Sequence, residues 1–499
     1  METATFAAAA ETRAPQGVFI DGAWTATGAT TAVLNPASGR PCAHVARGSA
    51  DDTRAAIDAA ARAFPEWGSA GALERAGVLR RAAALLRERA DGIGHALAAE
   101  TGKLLAEGIG EVRFSADFFD YYAEEGLRLE RVVSAGGRPS GPQLLARKPA
   151  GVTAALTPWN FPVSLQARKL APALAAGCTV VARPSDEAPA SVVALFRCLA
   201  DAGLPPGVAN LVTGPAAETT APALEDPRVR VVSFTGSTEV GKALYRDAAG
   251  TMKRLALELG GCAPFIVCAD ADLDLAVDQA MLAKFRNGGQ SCVAANCFFV
   301  EAAVYETFVE ALGERIRALR LGDQLDTATT HGPLINARRR KALESFAGAA
   351  ADGGFEPVAE APGVDLADGL APDCFLAPRL LAAPSHRDVA PELLETEVFG
   401  PLALVAGFDD AGDLLARLND NPLGLAGYVF SRDRPKAVRI AMALQVGIAG
   451  VNEGLAAAAN MPMGGVKESG LGREGGHAAL EEFLDMQYLA LRGEPIGAL

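Results

Sequence analysis

Apolar positions along the chain follow two alternating spacings, which predict strands and helices in turn. Between residues 151 and 261, short apolar runs alternate with Ala- and Leu-rich stretches at helical spacing. The predicted strands are 152–156, 179–182, 210–213, 229–234 and 254–259, and the predicted helices are 166–175, 190–202 and 238–248. Repeated strand–helix units favour a parallel, doubly wound sheet.

A second series of such units follows, and a largely helical segment precedes the first. The second series comprises strand 265–267, helix 273–285, strand 298–300 and helix 305–319, so we expect two α/β domains that join near Gly260 and Gly261. Upstream, the sequence predicts a hairpin of 20–24 with 32–36 and helices at 51–67, 72–99 and 111–129, with a break at 91–94. The Gly-, Pro- and Asp-rich stretch 353–372 predicts a surface loop.

Charge and cysteine usage narrow the class of protein. The chain carries 46 Lys and Arg against 60 Asp and Glu, which disfavours nucleic acid and anionic membrane surfaces as partners. No apolar run reaches the roughly 18 residues of a membrane span, and residues 1–16 lack the pattern of a secretory signal and suggest a frayed tail. Eight cysteines without a CxxC pair favour a reducing cytoplasm, and five scattered histidines predict no metal site.

The sharpest chemical signal is Asn-Gly-Gly-Gln-Ser-Cys at 287–292, ahead of a predicted strand. A cysteine after a glycine pair can lie on a tight turn with its sulfur exposed, and its thiolate would attack a carbonyl carbon. A lone cysteine is more often a small buried apolar residue. Cys292 is therefore a candidate nucleophile that needs support from other segments.

Two further segments place polar side chains at the ends of predicted strands. Glu258 ends an apolar strand before two glycines, where apolar surroundings would raise the pKa of a carboxyl group and suit it to general-base chemistry. Asn160 lies in Thr-Pro-Trp-Asn-Phe-Pro after strand 152–156, and its amide could donate to a developing oxyanion. Each feature alone is equally typical of a solvated strand end or a structural turn.

A dinucleotide site is indicated by two more strand ends. Gly236, Ser237 and Gly241 lie between a strand and a helix, where backbone N–H groups suit a pyrophosphate, although the GxGxxG spacing is absent. Arg183 and Asp186 follow another strand, at the place where nucleotide-binding sheets hold ribose hydroxyls.

Taken in order, these segments resemble the aldehyde dehydrogenase superfamily. The matching motifs are TPWNFP at 157–162, FTGS at 234–237, ELGG at 258–261, GQSC at 289–292, EVFGP at 397–401 and GGVKESGLGRE at 464–474. Within the superfamily the chain most resembles the succinate-semialdehyde dehydrogenases, through Arg168-Lys169, KFRN at 284–287 and NEGL at 452–455.

The resemblance implies an α/β fold with three parts. A Rossmann-type doubly wound cofactor domain is expected at 1–127 and 149–260, an α/β catalytic domain at 261–470, and a small oligomerisation hairpin with its partner segment at 128–148 and 471–499. A homodimer or homotetramer is implied.

The resemblance also implies a mechanism and its residues. Cys292 forms a thiohemiacetal with the aldehyde, Asn160 and the backbone N–H of Cys292 hold the oxyanion, hydride passes to the nicotinamide, and Glu258 activates the water that hydrolyses the thioester. The implied cofactor contacts are Thr157, Trp159, Arg183, Ser185, Asp186, Gly236, Ser237, Gly241, Leu259, Glu397 and Phe399. The carboxylate of Asp186 favours NAD, whereas Arg183 leaves NADP possible.

Arg168 and Arg286 are the implied substrate contacts, a clamp for an anionic tail. Succinate semialdehyde is therefore expected first, with glutarate semialdehyde, a sulfonated aldehyde or a neutral aliphatic aldehyde as alternatives. The chain departs from its family at Arg183, where Lys is usual, and at Ala457, Ala458 and Ala294, where the subfamily tends to have two serines and a second cysteine. An acylating enzyme is disfavoured by Glu258, and a non-enzymatic binding protein by the presence of both Cys292 and Glu258.

Overall fold

Two large, mainly parallel sheets form the frame of the structure, a computed structural model that describes residues 17–129, 132–134, 143–364 and 369–492. The strands are β1 (Val18–Ile20), β2 (Ala23–Thr25), β3 (Thr30–Leu34), β4 (Pro41–Ala46), β5 (Val132–Ser134), β6 (Gln143–Pro149), β7 (Val152–Leu156), β8 (Thr179–Arg183), β9 (Ala209–Leu211), β10 (Val229–Thr235), β11 (Arg254–Glu258), β12 (Ala263–Val267), β13 (Ala295–Glu301), β14 (Glu356–Glu360), β15 (Arg379–Ala383), β16 (Leu402–Phe408), β17 (Leu423–Gly424), β18 (Ala426–Phe430), β19 (Ile448–Val451), β20 (Val466–Lys467), β21 (Gly470–Leu471) and β22 (Leu484–Ala490).

Helices connect these strands and cover the sheets. They are α1 (Ala50–Ser69), α2 (Ala72–Glu88), α3 (Ala90–Thr101), α4 (Leu105–Glu125), α5 (Pro162–Ala176), α6 (Ala190–Asp201), α7 (Ala216–Glu225), α8 (Thr238–Ala248), α9 (Leu273–Phe285), α10 (Tyr305–Arg317), α11 (Ala337–Asp352), α12 (Pro391–Glu395), α13 (Ala411–Asp420), α14 (Arg434–Ala443) and α15 (Ala478–Glu481). None of the helices in the described ranges has the length and apolar character that a membrane crossing requires.

The first sheet has the order β2-β1-β9-β8-β7-β10-β11-β21, and its five central strands are parallel. Successive residues of β7 and β8 face opposite sides of the sheet and pack into two different hydrophobic cores. Ala155 packs with α2 to α6, whereas Ala154 packs with residues of α1 and α8. The order places β7 beside β10, the point from which the chain winds outward in both directions. Ligands bind at such a switch point, beyond the carboxyl ends of the strands.

The second sheet has the order β14-β15-β16-β13-β12-β18-β19, parallel except for the edge strand β14. A third sheet of three antiparallel strands, β22-β6-β5, joins segments that are far apart in the sequence. The predicted small hairpin is therefore two strands of a three-stranded sheet, and the C-terminal segment supplies the third.

The structure corrects several predicted elements. The segments 20–24 and 32–36 do not pair with each other: β1 pairs with β2 across a tight Asp21-Gly22 turn, and β3 pairs with β4. Asp21 and Gly22 both have positive φ, as a two-residue hairpin turn requires. The Asp-Gly pair is the sequence signal for this turn. The predicted surface loop at 353–372 contains β14, and its residues 365–368 lie outside the described residues, as does the predicted tail at 1–16.

Helix boundaries also differ from those predicted. The break expected at 91–94 lies instead at Arg89, and Gly94 is inside α3. A Cβ at Gly94 would lie 2.7 Å from the backbone of Ile109 in α4. Glycine is the residue that permits this close packing of two helices. The helix predicted from residue 111 begins earlier, at Leu105.

Candidate active site

The nucleophile candidate, Cys292, follows a turn whose residues have positive φ, the backbone region that favours glycine. Helix α9 ends at Phe285, and Asn287, Gly288 and Gly289 then have φ of 55°, 63° and 71°. A Cβ at Gly289 would lie 2.4 Å from the carbonyl oxygen of Gly400, so the turn is packed tightly against the loop that follows Glu397. The chain then turns through Cys292, which is partly exposed, into β13.

The surroundings of Cys292 hold its thiol in the protonated form. Burial and the nearby carboxyl groups of Glu397 and Glu258 together raise the pKa of Cys292 to about 12, while the Arg168 guanidinium acts in the opposite direction. Attack by this sulfur on a carbonyl therefore requires a group that accepts the thiol proton.

Glu258 is the group that these interactions point to. It ends β11, is 3% exposed, and neither of its carboxylate oxygens has a hydrogen-bond partner in the described part of the chain. Burial raises the pKa of Glu258 well above its usual value, and the nearby Glu474 raises it further. A carboxyl group with a raised pKa and unused oxygens suits proton transfer.

A buried lysine and a second carboxylate adjoin Glu258. The Lys169 ammonium donates to Thr235 Oγ1 at 2.8 Å and to Ser233 Oγ at 3.1 Å, and it forms an ion pair with Glu474. Neither Lys169 nor Glu474 is among the site residues predicted from the sequence. The available signal was a fully buried lysine on α5, a helix whose 15 residues are all buried.

Asn160 lies between β7 and α5 and reaches the turn that carries Cys292. Its side-chain N–H donates to the carbonyl of Gln290 at 3.2 Å, which leaves its second amide N–H for another acceptor. The Asn160 carbonyl accepts hydrogen bonds from Lys103 Nζ at 2.8 Å and Asn287 Nδ2 at 3.0 Å. The oxyanion candidate and the nucleophile candidate therefore belong to one hydrogen-bonded unit.

Glu397 lies near Cys292, and Phe399 follows it two residues later in the chain. Glu397 accepts a hydrogen bond from the Gly261 N–H at 3.2 Å, and burial raises the pKa of Glu397 to about 7. A Cβ at Gly260 would lie 2.9 Å from its other oxygen, so glycine keeps this space open. The Phe399 ring meets the Trp159 ring edge-to-face, with centroids 5.6 Å apart.

The remaining cofactor candidates line the carboxyl ends of β7, β10 and β11. Ser237 caps α8 by accepting a hydrogen bond from Val240 N–H, and Gly241 lets this helix pack closely, because a Cβ there would lie 2.3 Å from Leu259. Gly236 donates to the carbonyl of Glu258 at 3.0 Å. A capped helix N-terminus beside an open carboxylate fits the anionic and hydroxyl groups of a nicotinamide dinucleotide.

Thr157, Ser185, Arg183 and Asp186 lie at the next strand ends. Thr157 Oγ1 donates to the Gln166 side chain at 2.9 Å, and its N–H donates to the Arg183 carbonyl at 3.1 Å. Ser185 Oγ accepts a hydrogen bond from the Glu187 N–H. The Arg183 guanidinium pairs with the Asp186 carboxylate at 2.7 Å, so the two side chains expected to favour different cofactors neutralise each other.

The two candidate substrate arginines both lie near the nucleophile. Arg168 is 5% exposed, packs 4.9 Å above the Phe118 ring and contacts the Met463 sulfur, and its Nε has no hydrogen-bond partner. Arg286 packs 4.9 Å from the Phe161 ring. Within the described ranges, neither guanidinium has a carboxylate within 4 Å.

The departures from the family pattern leave apolar groups near the site. Ala457 and Ala458 are half-buried, and Ala294 is buried next to the nucleophile turn. Cys297 is buried in β13, and all eight cysteines are free thiols. Within the described residues, no three His, Cys, Asp or Glu side chains are placed to hold a metal ion.

Comparison with known proteins gives this site its context. The profile of the aldehyde dehydrogenase family matches residues 24–489. The chain belongs to the aldehyde dehydrogenase family. This aldehyde dehydrogenase is 41% identical over 479 residues to the NADP(+) succinate-semialdehyde dehydrogenase of Escherichia coli K12, covering 95% of this chain and 98% of that protein.

Two further comparisons agree. The aldehyde dehydrogenase is 40% identical to the glutarate-semialdehyde dehydrogenase of Pseudomonas aeruginosa, covering 96% of this chain and 98% of that protein. It is also similar to a crystal structure of an aldehyde dehydrogenase from Brucella melitensis biovar abortus, with a TM-score of 0.91, 39% identity and coverage of 95% and 96%. The predicted α/β aldehyde dehydrogenase fold is confirmed, and the protein is an NAD(P)-dependent oxidoreductase that acts on an aldehyde.

Proposed function

We propose that this aldehyde dehydrogenase oxidises a short aldehyde with a terminal anionic group, succinate semialdehyde first, to the corresponding acid. The observation that carries the proposal is the Arg168 guanidinium, which is buried near Cys292 without a carboxylate partner in the described part of the chain. A buried charge that is unpaired in the protein is costly and suits an anionic ligand. Arg286 adds a second guanidinium on the same approach.

The chemistry follows from the positions of three side chains. Cys292 Sγ forms a bond to the aldehyde carbon as Glu258 takes the thiol proton, and the resulting oxyanion is held by the free amide N–H of Asn160 and the backbone N–H of Cys292. A nicotinamide dinucleotide held at the carboxyl ends of β7, β10 and β11 would supply the hydride acceptor, and loss of hydride from this carbon would leave a thioester on Cys292. Glu258 first releases the thiol proton to solvent. It then takes a proton from water as the water oxygen bonds to the thioester carbon, and the C–S bond breaks as that proton passes to the leaving Cys292 sulfur, which releases the acid.

We propose NAD as the preferred cofactor. The support is Asp186, whose carboxylate would accept a hydrogen bond from a ribose hydroxyl and repel a 2′-phosphate. The name of the Escherichia coli relative specifies NADP(+), and Arg183 is the group in this chain that would bind a phosphate. Because Arg183 already pairs with Asp186, its charge is not available to a phosphate unless that pair opens.

Replacing Arg286 tests the substrate proposal. Loss of one charge-assisted contact costs roughly 1.5–3 kcal/mol, so R286A should lower kcat/KM for succinate semialdehyde about ten- to a hundredfold. The same variant should leave butanal oxidation nearly unchanged. R315A is a matched control, because Arg315 forms an exposed ion pair with Asp278. Equal losses on both aldehydes, or a wild type that prefers butanal, would exclude the anionic clamp.

The same assay separates the alternative substrates. Glutarate semialdehyde and a sulfonated aldehyde carry the same terminal charge at a different distance or with a different shape, and the apolar Ala457 and Ala458 leave room for either. The ranking of kcat/KM among the three anionic aldehydes decides the chain length, whereas the R286A comparison decides whether an anion is recognised at all.

A further inference from the structure

Three charged side chains at the start of α4 hold both catalytic loops from the side away from the substrate. Glu107 and Glu111 are one helical turn apart, and Lys103 precedes the helix. Lys103 and Glu111 form a buried ion pair with side-chain exposures of 1% and 3%. Each of the three side chains then contacts the backbone of a loop that carries a catalytic residue.

The first contacts fix the loop of Asn160. Glu111 Oε1 accepts hydrogen bonds from the Val163 and Ser164 N–H groups, both at 3.1 Å, and so caps the N-terminus of α5. The Lys103 ammonium donates to the Asn160 carbonyl at 2.8 Å and lies 4.3 Å from the centre of the Phe161 ring.

The second contacts fix the turn of Cys292. Glu107 Oε1 accepts a hydrogen bond from the Asn287 N–H at 2.8 Å. The Asn287 side chain then bridges the two loops, because its Nδ2 donates to the Asn160 carbonyl at 3.0 Å and to the Gln290 carbonyl at 3.1 Å. Asn160 Nδ2 donates to the same Gln290 carbonyl.

We propose that Lys103, acting with Glu111 and Asn287, is a positioning residue for the oxyanion site. The Asn160 backbone carbonyl accepts from two donors, the Lys103 ammonium and the Asn287 side-chain amide. Together these hydrogen bonds fix the backbone of Asn160, whose side chain reaches the turn of Cys292. Oxyanion donors act through preorganised geometry, so the Asn160 side chain must be in place before the C–S bond forms. If the Asn160 backbone carbonyl loses one of its two donors, that side chain is held less rigidly. Lys103 itself does not contact the substrate.

A double replacement separates positioning from folding. K103M alone leaves Glu111 buried without its partner. This variant is expected to be strongly destabilised, because a buried charge without its ion-pair partner is costly. K103M/E111Q removes both charges, keeps an oxygen for the α5 N–H groups and fills the space of the lysine stem. Its thermal midpoint should recover most of the loss, whereas the Asn160 carbonyl still lacks one donor.

The inference rests on the proposed thiol chemistry, and the readout is the pre-steady-state burst of reduced nicotinamide. In K103M/E111Q the burst rate should stay at least about tenfold below wild type, short of the roughly 100- to 1,000-fold cost of removing an oxyanion donor outright. The decrease should be equal for succinate semialdehyde and butanal, with KM values nearly unchanged. N287G removes the other donor, tolerates the positive φ of this position and should show the same kinetic change.

R75M serves as the matched structural control. Arg75 is also a buried cation, and it binds the Ala175 carbonyl at the opposite end of α5 at 3.0 Å. R75M should lose stability yet retain the wild-type burst rate. A wild-type burst rate in both K103M/E111Q and N287G would overturn the positioning role, as would a decrease of the same size in R75M. Full steady-state activity of C292A would instead overturn the proposed thiol chemistry.

Discussion

Replacing Glu258 with glutamine should separate the two halves of the reaction. Glutamine has the shape of glutamate, so E258Q leaves no cavity, and both carboxylate oxygens of Glu258 lack hydrogen-bond partners in the described part of the chain. The change therefore removes the proton acceptor with little loss of packing.

The expected size follows from the chemical role. General-base catalysis contributes about 100- to 10,000-fold, which corresponds to roughly 2.7–5.4 kcal/mol of barrier. Glu258 is the carboxyl group assigned to thioester hydrolysis, so the steady-state rate of E258Q should fall by that factor. Acyl-enzyme formation should be less affected, because a thiol that has lost its proton by another route can still attack the aldehyde.

Rapid-quench measurement of reduced nicotinamide provides the assay. Wild-type enzyme should give a burst of reduced nicotinamide followed by steady turnover, whereas E258Q should give a burst close to one equivalent per subunit followed by very slow turnover. The wild-type hydrolysis rate should rise with pH, because the base form of Glu258 accumulates only above its raised pKa. E474Q removes a neighbouring negative charge, so it should lower the pKa of Glu258 and move this rise to lower pH.

Two outcomes would contradict the role of Glu258. One is a steady-state rate of E258Q within a few fold of wild type, and the other is a burst rate that falls as far as the steady-state rate, which would show that thiol attack depends on Glu258 as strongly as thioester hydrolysis does. A pH profile in E474Q that moves toward higher pH would show that the two carboxyl groups do not interact as like charges.

Three further predictions concern the cofactor, oxidation and the nucleophile turn. D186A should raise the ratio of kcat/KM for NADP over NAD about ten- to a hundredfold, because it frees the guanidinium that now pairs with Asp186; an unchanged ratio would exclude Asp186 as the selector. Mild peroxide should oxidise Cys292 to a sulfenic acid without a Cys292–Cys297 disulfide in mass spectra, since Cys297 is buried in β13. G289A should lower the thermal midpoint and the burst rate together, because its Cβ would lie 2.4 Å from the Gly400 carbonyl at a φ of 71°; a wild-type midpoint would refute this packing argument.

The periodicity of the chain was sufficient for the architecture but not for its details. The strands and helices predicted between residues 151 and 320 lie within a few residues of observed ones, because buried parallel strands and amphipathic helices have distinct apolar spacings, but the helix α7 (Ala216–Glu225) was not predicted. The pairing of β1 with β2, the strand β14 and the break at Arg89 were missed, since these depend on turn geometry and on partners far away in the sequence.

The sequence by itself determined the chemistry of this protein, and the tertiary structure decided how that chemistry is arranged. Cys292, Glu258 and Asn160 could be selected from motifs because each ends a strand or begins a turn, where side chains are available for reaction. The fold alone brought Lys103 to the Asn160 backbone carbonyl across 57 residues and Asn287 to the same carbonyl across 127 residues, with Glu111 paired to Lys103. Burial then raised the pKa of Glu258 and left Arg168 without a carboxylate partner. Burial of these two side chains depends on tertiary packing and cannot be read from the sequence pattern.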